Sequence, residues 1–86
     1  MPRIFIPPLL RPLTGVDAID VEAANVRQAI ERLEDRFPGV RARLCEGDGL
    51  KPGLTVAVDG NVSSMGLLQK LKPDSEVHFL PAIGGG

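Results

Sequence analysis

Eighty-six residues suffice for one domain and are too few for two, close to the lower limit at which a hydrophobic core holds a fold without staples. Hydrophobic residues at 43% and charged residues at 24% are the balance of an ordinary soluble globule and exclude a disordered chain. Ten basic residues against eleven acidic ones leave a net charge of −1, and Phe5, Phe37 and Phe79 stand without Trp or Tyr, so nothing indicates a nucleic acid or an anionic membrane as partner.

The first element is "RIFIP", Arg3 to Pro7, β-branched and aromatic, with Ile4 and Ile6 on one face and Phe5 on the other. "PLLRPLTG" carries two prolines and ends on Gly15, which suits a connection more than an element interior. "VDAIDVEA" alternates again, with Val16, Ala18, a slip at Ile19, then Val21, and predicts a short second strand paired with the first as a hairpin. From Asn25 to Phe37, "NVRQAIERLEDRF" places Val26, Ala29, Ile30, Leu33 and Phe37 at the three-and-four spacing of one apolar helix stripe. Asn25 is a capping residue, Gln28 occupies the returning position of a capping box, and Pro38-Gly39 stops the helix. Its other face, Arg27, Glu31, Arg32, Glu34, Asp35 and Arg36, reads as a solvated mixed-sign surface.

"VRARLCEGDGLKPG" opens with a few residues able to form a helical turn and then becomes turn-rich. "LTVAVDGN" is a strand with Leu54, Val56 and Val58 on one face, closed by an Asp59-Gly60 turn. "VSSMGLLQKLKPDS" is poorly periodic, with Leu67, Leu68 and Leu71 available to anchor one turn. "EVHFLP" is the last strand, with Val77 and Phe79 on one side and His78 and Leu80 on the other. The order strand, strand, helix, strand, strand predicts an α+β domain, a mixed sheet with one main helix packed across one face. It spans residues 1–81, and residues 82–86 form a flexible glycine tail.

The lone Cys45 has no internal disulfide partner and suits a reducing compartment. No stretch approaches the length of a membrane span, and "MPRIFIPPLL" lacks a charged leader and is cut by Pro7 and Pro8, so a cytoplasmic protein is expected. His78 is the only histidine and has no metal partner, which leaves a partly exposed strand histidine. The acidic neighbours in "CEGDG" should raise the Cys45 pKa, making it a small filler of loop or core. Lys51, Lys70 and Lys72 read as ordinary solubilising residues. No Ser/His/Asp set, phosphate-cradling loop or metal cluster assembles from these side chains, so no catalytic residue and no metal site is assigned and the domain is not expected to be an enzyme.

The tail is the remaining candidate. Residues 82–86 reach at most about 15–18 Å when extended, and glycines let such an arm thread a narrow site because backbone without Cβ approaches closely. Its reactive group is the α-carboxylate of Gly86. A carboxylate is a poor electrophile until activated, most simply by adenylation with ATP. Sulfide or a persulfide displacing AMP leaves a thiocarboxylate; a lysine amine leaves an isopeptide bond.

The element order, with "IPPLLRPLTG" near the start, "VDGN" in the third strand and "VHFLPAIGGG" at the end, resembles the ubiquitin-like sulfur carriers of the ThiS/MoaD family, which have the β-grasp fold. The "IPPLLRPLTG" stretch and the ending are most similar to the branch that carries sulfur for cysteine biosynthesis, with molybdopterin-synthase small subunits close behind. The resemblance implies no bound cofactor. It implies adenylation of Gly86 by a ubiquitin-activating-like adenylyltransferase that uses ATP and Mg²⁺, with sulfur then held covalently as a thiocarboxylate. Gly85 takes the supporting position. The family usually ends on two glycines and this chain has three, so either Gly84 replaces a small residue or Gly86 is trimmed to expose Gly85; the first is favoured. A sulfur-accepting synthase is the implied partner, either a cysteine synthase or a molybdopterin synthase large subunit, along with a metalloprotease that trims the tail.

Strand parity places Phe5, His78 and Leu80 on the sheet face away from the helix, beside the tail. Either that face docks the activating enzyme, with Arg11 supplying a charge at its rim, or these are only single hydrophobics on a sheet surface. Three functions stay open: a sulfur carrier, a ubiquitin-like modifier conjugated to lysines through Gly86, and a plain interaction module with an inert tail.

Overall fold

The computed structural model describes residues 1–82. The first strand, β1 (Arg3–Phe5), leads into a 3-10 turn at Pro8–Leu10 and a single helical turn, α1 (Arg11–Thr14). The sequence pattern predicts plain connection here. Both prolines sit where a helical turn tolerates them, at its first positions, where the missing N–H would have had no partner. Gly15 then ends the turn in the left-handed region at φ 68°, its N–H donating to the Arg11 carbonyl.

The return strand β2 (Ala18–Asp20) pairs antiparallel with β1, shorter than expected because Val16 lies outside the ladder. Helix α2 (Val26–Arg36) follows with Val26, Ala29, Ile30 and Leu33 fully buried. Its capping box is offset by one residue. Asn25 Oδ1 accepts the Gln28 N–H at 2.8 Å, while Gln28 Oε1 accepts the N–H of Ala24, 2.9 Å away, rather than that of Asn25.

A third helix, α3 (Val40–Leu44), buries Val40 and Leu44 one turn apart. Glu34 is tied to its start and is not simply part of a solvated face. The carboxylate accepts the N–H groups of Arg41 at 2.9 Å and Gly39 at 3.1 Å, and these bonds, Arg41's first, hold its pKa below the usual carboxylate value. A small hairpin of β3 (Cys45–Glu46) and β4 (Gly49–Leu50) comes next and was not anticipated. Two residues per strand are too few to show period-two alternation. Cys45 packs against the core here, and burial is what raises its pKa; Arg41 opposes the shift.

Strand β5 (Leu54–Val58) turns through Asp59 (φ 53°) and Gly60 (φ 84°) into β6 (Asn61–Val62), with Val58 facing Asn61. Two consecutive positive φ values define the mirror-image hairpin turn that Asp-Gly favours. A 3-10 turn at Gly66–Leu68 follows, in which Leu67 packs on the core and Leu68 points outward at 65% exposure. Three residues per turn let only one of the three face inward.

The last strand, β7 (Glu76–Pro81), lies between β1 and β5, giving the order β2-β1-β7-β5-β6. The β1–β7 pair is parallel and the others are antiparallel. Ile4, Val77 and Val58 form one row across the sheet and pack with the buried stripe of α2 into a single core. Burying each such side chain contributes about 1.5–3 kcal/mol before the entropy of ordering is set against it. The sheet therefore has one face covered by α2.

Candidate partner-docking face

The other face is read directly from the strand registers. Ala18 faces Phe5, Phe5 faces His78, His78 faces Ala57 and Ala57 faces Val62, so these five residues form one continuous row across all five strands. Phe5 and His78 lie flat on one another, with ring centroids 4.3 Å apart and planes 6° from parallel. Both are half-buried by this contact.

Two residue pairs further along, and so on the same face, Leu80 faces Thr55. At this end Thr55, Val62, Leu80, Pro81 and Ala82 line an apolar groove of about 430 Å³. Leu80 is 38% exposed and Val62 67%, so the groove walls are open to solvent. Ala82 donates its N–H to the Gly53 carbonyl at 2.9 Å, which holds the root of the tail beside the start of β5. Gly84, Gly85 and Gly86, the expected reactive tail, lie outside the described residues.

At the other end of these strands the face is charged. Arg3 faces both Asp20 and Glu76, and its Nε donates to Asp20 Oδ1 at 2.9 Å, which holds the Asp20 carboxyl below its usual pKa range. Arg11 is not part of the row. Its guanidinium pairs with exposed Asp17 at 3.4 Å, and the Asp17 carbonyl accepts the Ile6 N–H, so the pair sits at the end of the β1–β2 hairpin past Phe5. Because β1 and β7 run parallel, that is also the end toward which Leu80 lies.

The structure thus brings Phe5, His78 and Leu80 onto one face and sets Arg11 at its margin. Sequence reasoning missed Val62, Thr55, Ala57 and Ala18. For Val62 a signal existed, since a two-residue Asp-Gly turn must be followed by a strand that pairs back. Among the described residues no cluster of three metal-ligating side chains occurs, and no helix is long and apolar enough to cross a membrane.

A five-stranded mixed sheet with a helix across one face, its parallel β1–β7 pair at the centre, is the β-grasp, ubiquitin-like fold. The ThiS family model matches residues 5–86, and the chain belongs to that family of small β-grasp sulfur carriers, which are not catalysts themselves. A chain of the Amycolatopsis orientalis BexX/CysO complex is similar over its whole length and the whole of this chain, with 30% identity and a TM-score of 0.87. Mycobacterium tuberculosis CysO is 25% identical with a TM-score of 0.85, over 96% of this chain and 100% of its own. SAMP1 from Haloferax volcanii, at 20% identity and a TM-score of 0.77 over 99% and 98% of the two chains, shares the fold. Among curated proteins none matches.

Proposed function

We propose that this chain carries sulfur as a thiocarboxylate on Gly86. The observation that carries the reading is that the family match runs through the three terminal glycines, to residue 86, rather than stopping at the end of β7. Activation joins the Gly86 carboxylate to the α-phosphorus of ATP, releasing pyrophosphate. A sulfur nucleophile then attacks the acyl carbon and AMP leaves with the bonding pair of the broken C–O bond. ATP and Mg²⁺ belong to the activating adenylyltransferase, and this chain binds no cofactor of its own.

The chain's contribution is presentation. Strand β7 is paired on both sides, to β1 and β5, so the arm leaves from a fixed point beside the apolar groove. Phe5, His78 and Leu80 dock the activating enzyme, with Arg11 at the margin, and the same face then serves the sulfur-accepting synthase. The BexX/CysO complex supports a protein partner of this kind. The similarity to two CysO chains favours the cysteine branch over the molybdopterin one. A cytoplasmic setting, and a metalloprotease able to trim the tail, complete the reading.

The test is the intact mass of the chain after incubation with an activating enzyme, ATP and sulfide. A shift equal to one oxygen replaced by sulfur, absent from a Gly86 deletion, is the expected result. A native form that ends at Gly85 moves the reactive position to Gly85. Higher-mass lysine conjugates with no thiocarboxylate point to the modifier function. No change with a competent partner leaves an interaction module.

A further inference from the structure

Two concavities share Val62. One is the apolar groove leading to Pro81 and Ala82. The other, about 260 Å³, is lined by Val62 together with Asn61, Ser63, Gln69, Lys70 and Lys72, and lies between the β5–β6 turn and the segment entering β7. Its charged lining is Lys70 and Lys72 against Asp59. Residues 60–72 contain no Asp or Glu and hold two of the chain's three lysines.

Asp59 is the one carboxylate lining this second cavity, and both of its oxygens are committed. Oδ2 accepts the Ser75 hydroxyl at 3.0 Å and Oδ1 the Glu76 N–H at 2.9 Å. Lys70 and Lys72 are exposed, and neither forms an ion pair among the described residues. Val62, which lines both concavities, is 67% exposed, and on the segment that leads from it to the lysines Met65 is 56% and Leu68 65% exposed. Isolated exposed hydrophobics are unremarkable, but three within seven residues, on the segment that joins an apolar groove to two unpaired cations, give that segment a chemical preference.

We propose that this corner receives an acidic peptide segment of a protein partner, with an aliphatic or aromatic anchor in the apolar groove and the adjoining carboxylates against Lys70 and Lys72. This rests on the reading of the open sheet face as the docking face, and extends it past the β6 edge. Each half has its own task. Desolvating the anchor supplies affinity, while the lysine pair steers acidic segments in and rejects basic ones. A free anion has no use for the groove, and two solvent-exposed lysines are too well hydrated to hold one unaided.

The probe is an acetylated, amidated Glu-Asp-Leu-Phe-Glu-Asp peptide titrated into the full chain and followed by amide chemical shifts. A peptide with Lys at the acidic positions is the control. Expected are saturable shifts at Val62, Lys70, Lys72 and Leu80, no saturable shifts with the basic peptide, and affinity at least about tenfold lower in the K70E/K72E double variant. Raising salt from about 50 to 500 mM should weaken binding several-fold, because these cations are exposed. Equal binding by the double variant, or equal binding of the basic peptide, overturns the proposal. So does lysine-dependent binding to phosphatidylserine vesicles without peptide binding, which would make the partner a membrane. Thiocarboxylate formation separates the two readings. A normal mass shift without peptide binding leaves the carrier function and removes this site; peptide binding with no mass shift does the reverse.

Discussion

Asp59 occupies a position where one side chain does three things, and removing it tests how β7 is held. Its backbone is in the left-handed region at φ 53°, which Asp tolerates and Ala resists by about 1 kcal/mol. Its carboxylate accepts the hydroxyl of Ser75, a residue only 1% exposed, so Asp59→Ala leaves that buried proton without an acceptor at a cost of about 1–2 kcal/mol. The Glu76 N–H at the first residue of β7 loses its partner too, worth about another 1 kcal/mol. The total is about 3–4 kcal/mol, a large fraction of the roughly 5–15 kcal/mol that holds a domain together. At about 4–8 °C per kcal/mol for a chain of this size, the melting temperature should fall by roughly 12–30 °C. Asp59→Asn keeps an acceptor oxygen and the tolerance of positive φ, so it should lose less than half as much. Urea unfolding followed by far-UV circular dichroism measures both. An alanine variant within about 1 kcal/mol of the parent would show that the β5–β6 turn does not secure the start of β7.

Other substitutions separate the elements. Asn25→Ala removes the α2 cap and should cost about 1 kcal/mol, seen as a melting temperature lower by about 4–8 °C; no change would mean that the Gln28–Ala24 bond suffices to start the helix. Glu34 titrates below its usual value in the folded chain, so its contribution is complete above the unfolded-state pKa and is lost as pH falls through the lowered folded one. Glu34→Gln should therefore flatten the acid limb of the stability-against-pH curve, and an unaltered slope would remove the capping role. Leu80→Asp should hold the melting temperature within a few degrees, since Leu80 lies outside the core, while lowering the kcat/KM for thiocarboxylate formation at least about tenfold. Unimpaired activation in that variant excludes Leu80 from the docking face.

The elements that the sequence made legible are those long enough to repeat a pattern. Four buried positions in α2 and a cap on each side identify that helix, and the alternation of Val77, His78, Phe79 and Leu80 identifies both β7 and which of its residues face outward. Helix α1 was hidden because two prolines in eight residues look like connection, and only the φ of Gly15 and the placement of each proline at a first-turn position make them helical. The β3–β4 hairpin was hidden by length, and β6 was marked only by the Asp-Gly turn before it. The docking row was half legible for a related reason: parity says which face a residue takes, whereas only register says which residues become neighbours. Phe5 and His78 are 73 positions apart, and nothing local predicts that their rings stack.

Alternation divides these strands between two tasks. In β7, Val77 and Phe79 join the core beneath α2, while His78 and Leu80, one residue away, contribute to the opposite face; in β1, Ile4 and Phe5 divide in the same way. Core residues and open-face residues therefore occupy alternate positions of the same strands, and a one-residue slip of β7 would exchange them, exposing Val77 and Phe79 and burying His78. The devices found at the two ends of β7 prevent that slip. Asp59 and Ser75 hold its start, and the Ala82–Gly53 bond holds its end, where the arm leaves the sheet. Under the proposed carrier function this matters because the register of this one strand sets where the arm is rooted relative to the open face.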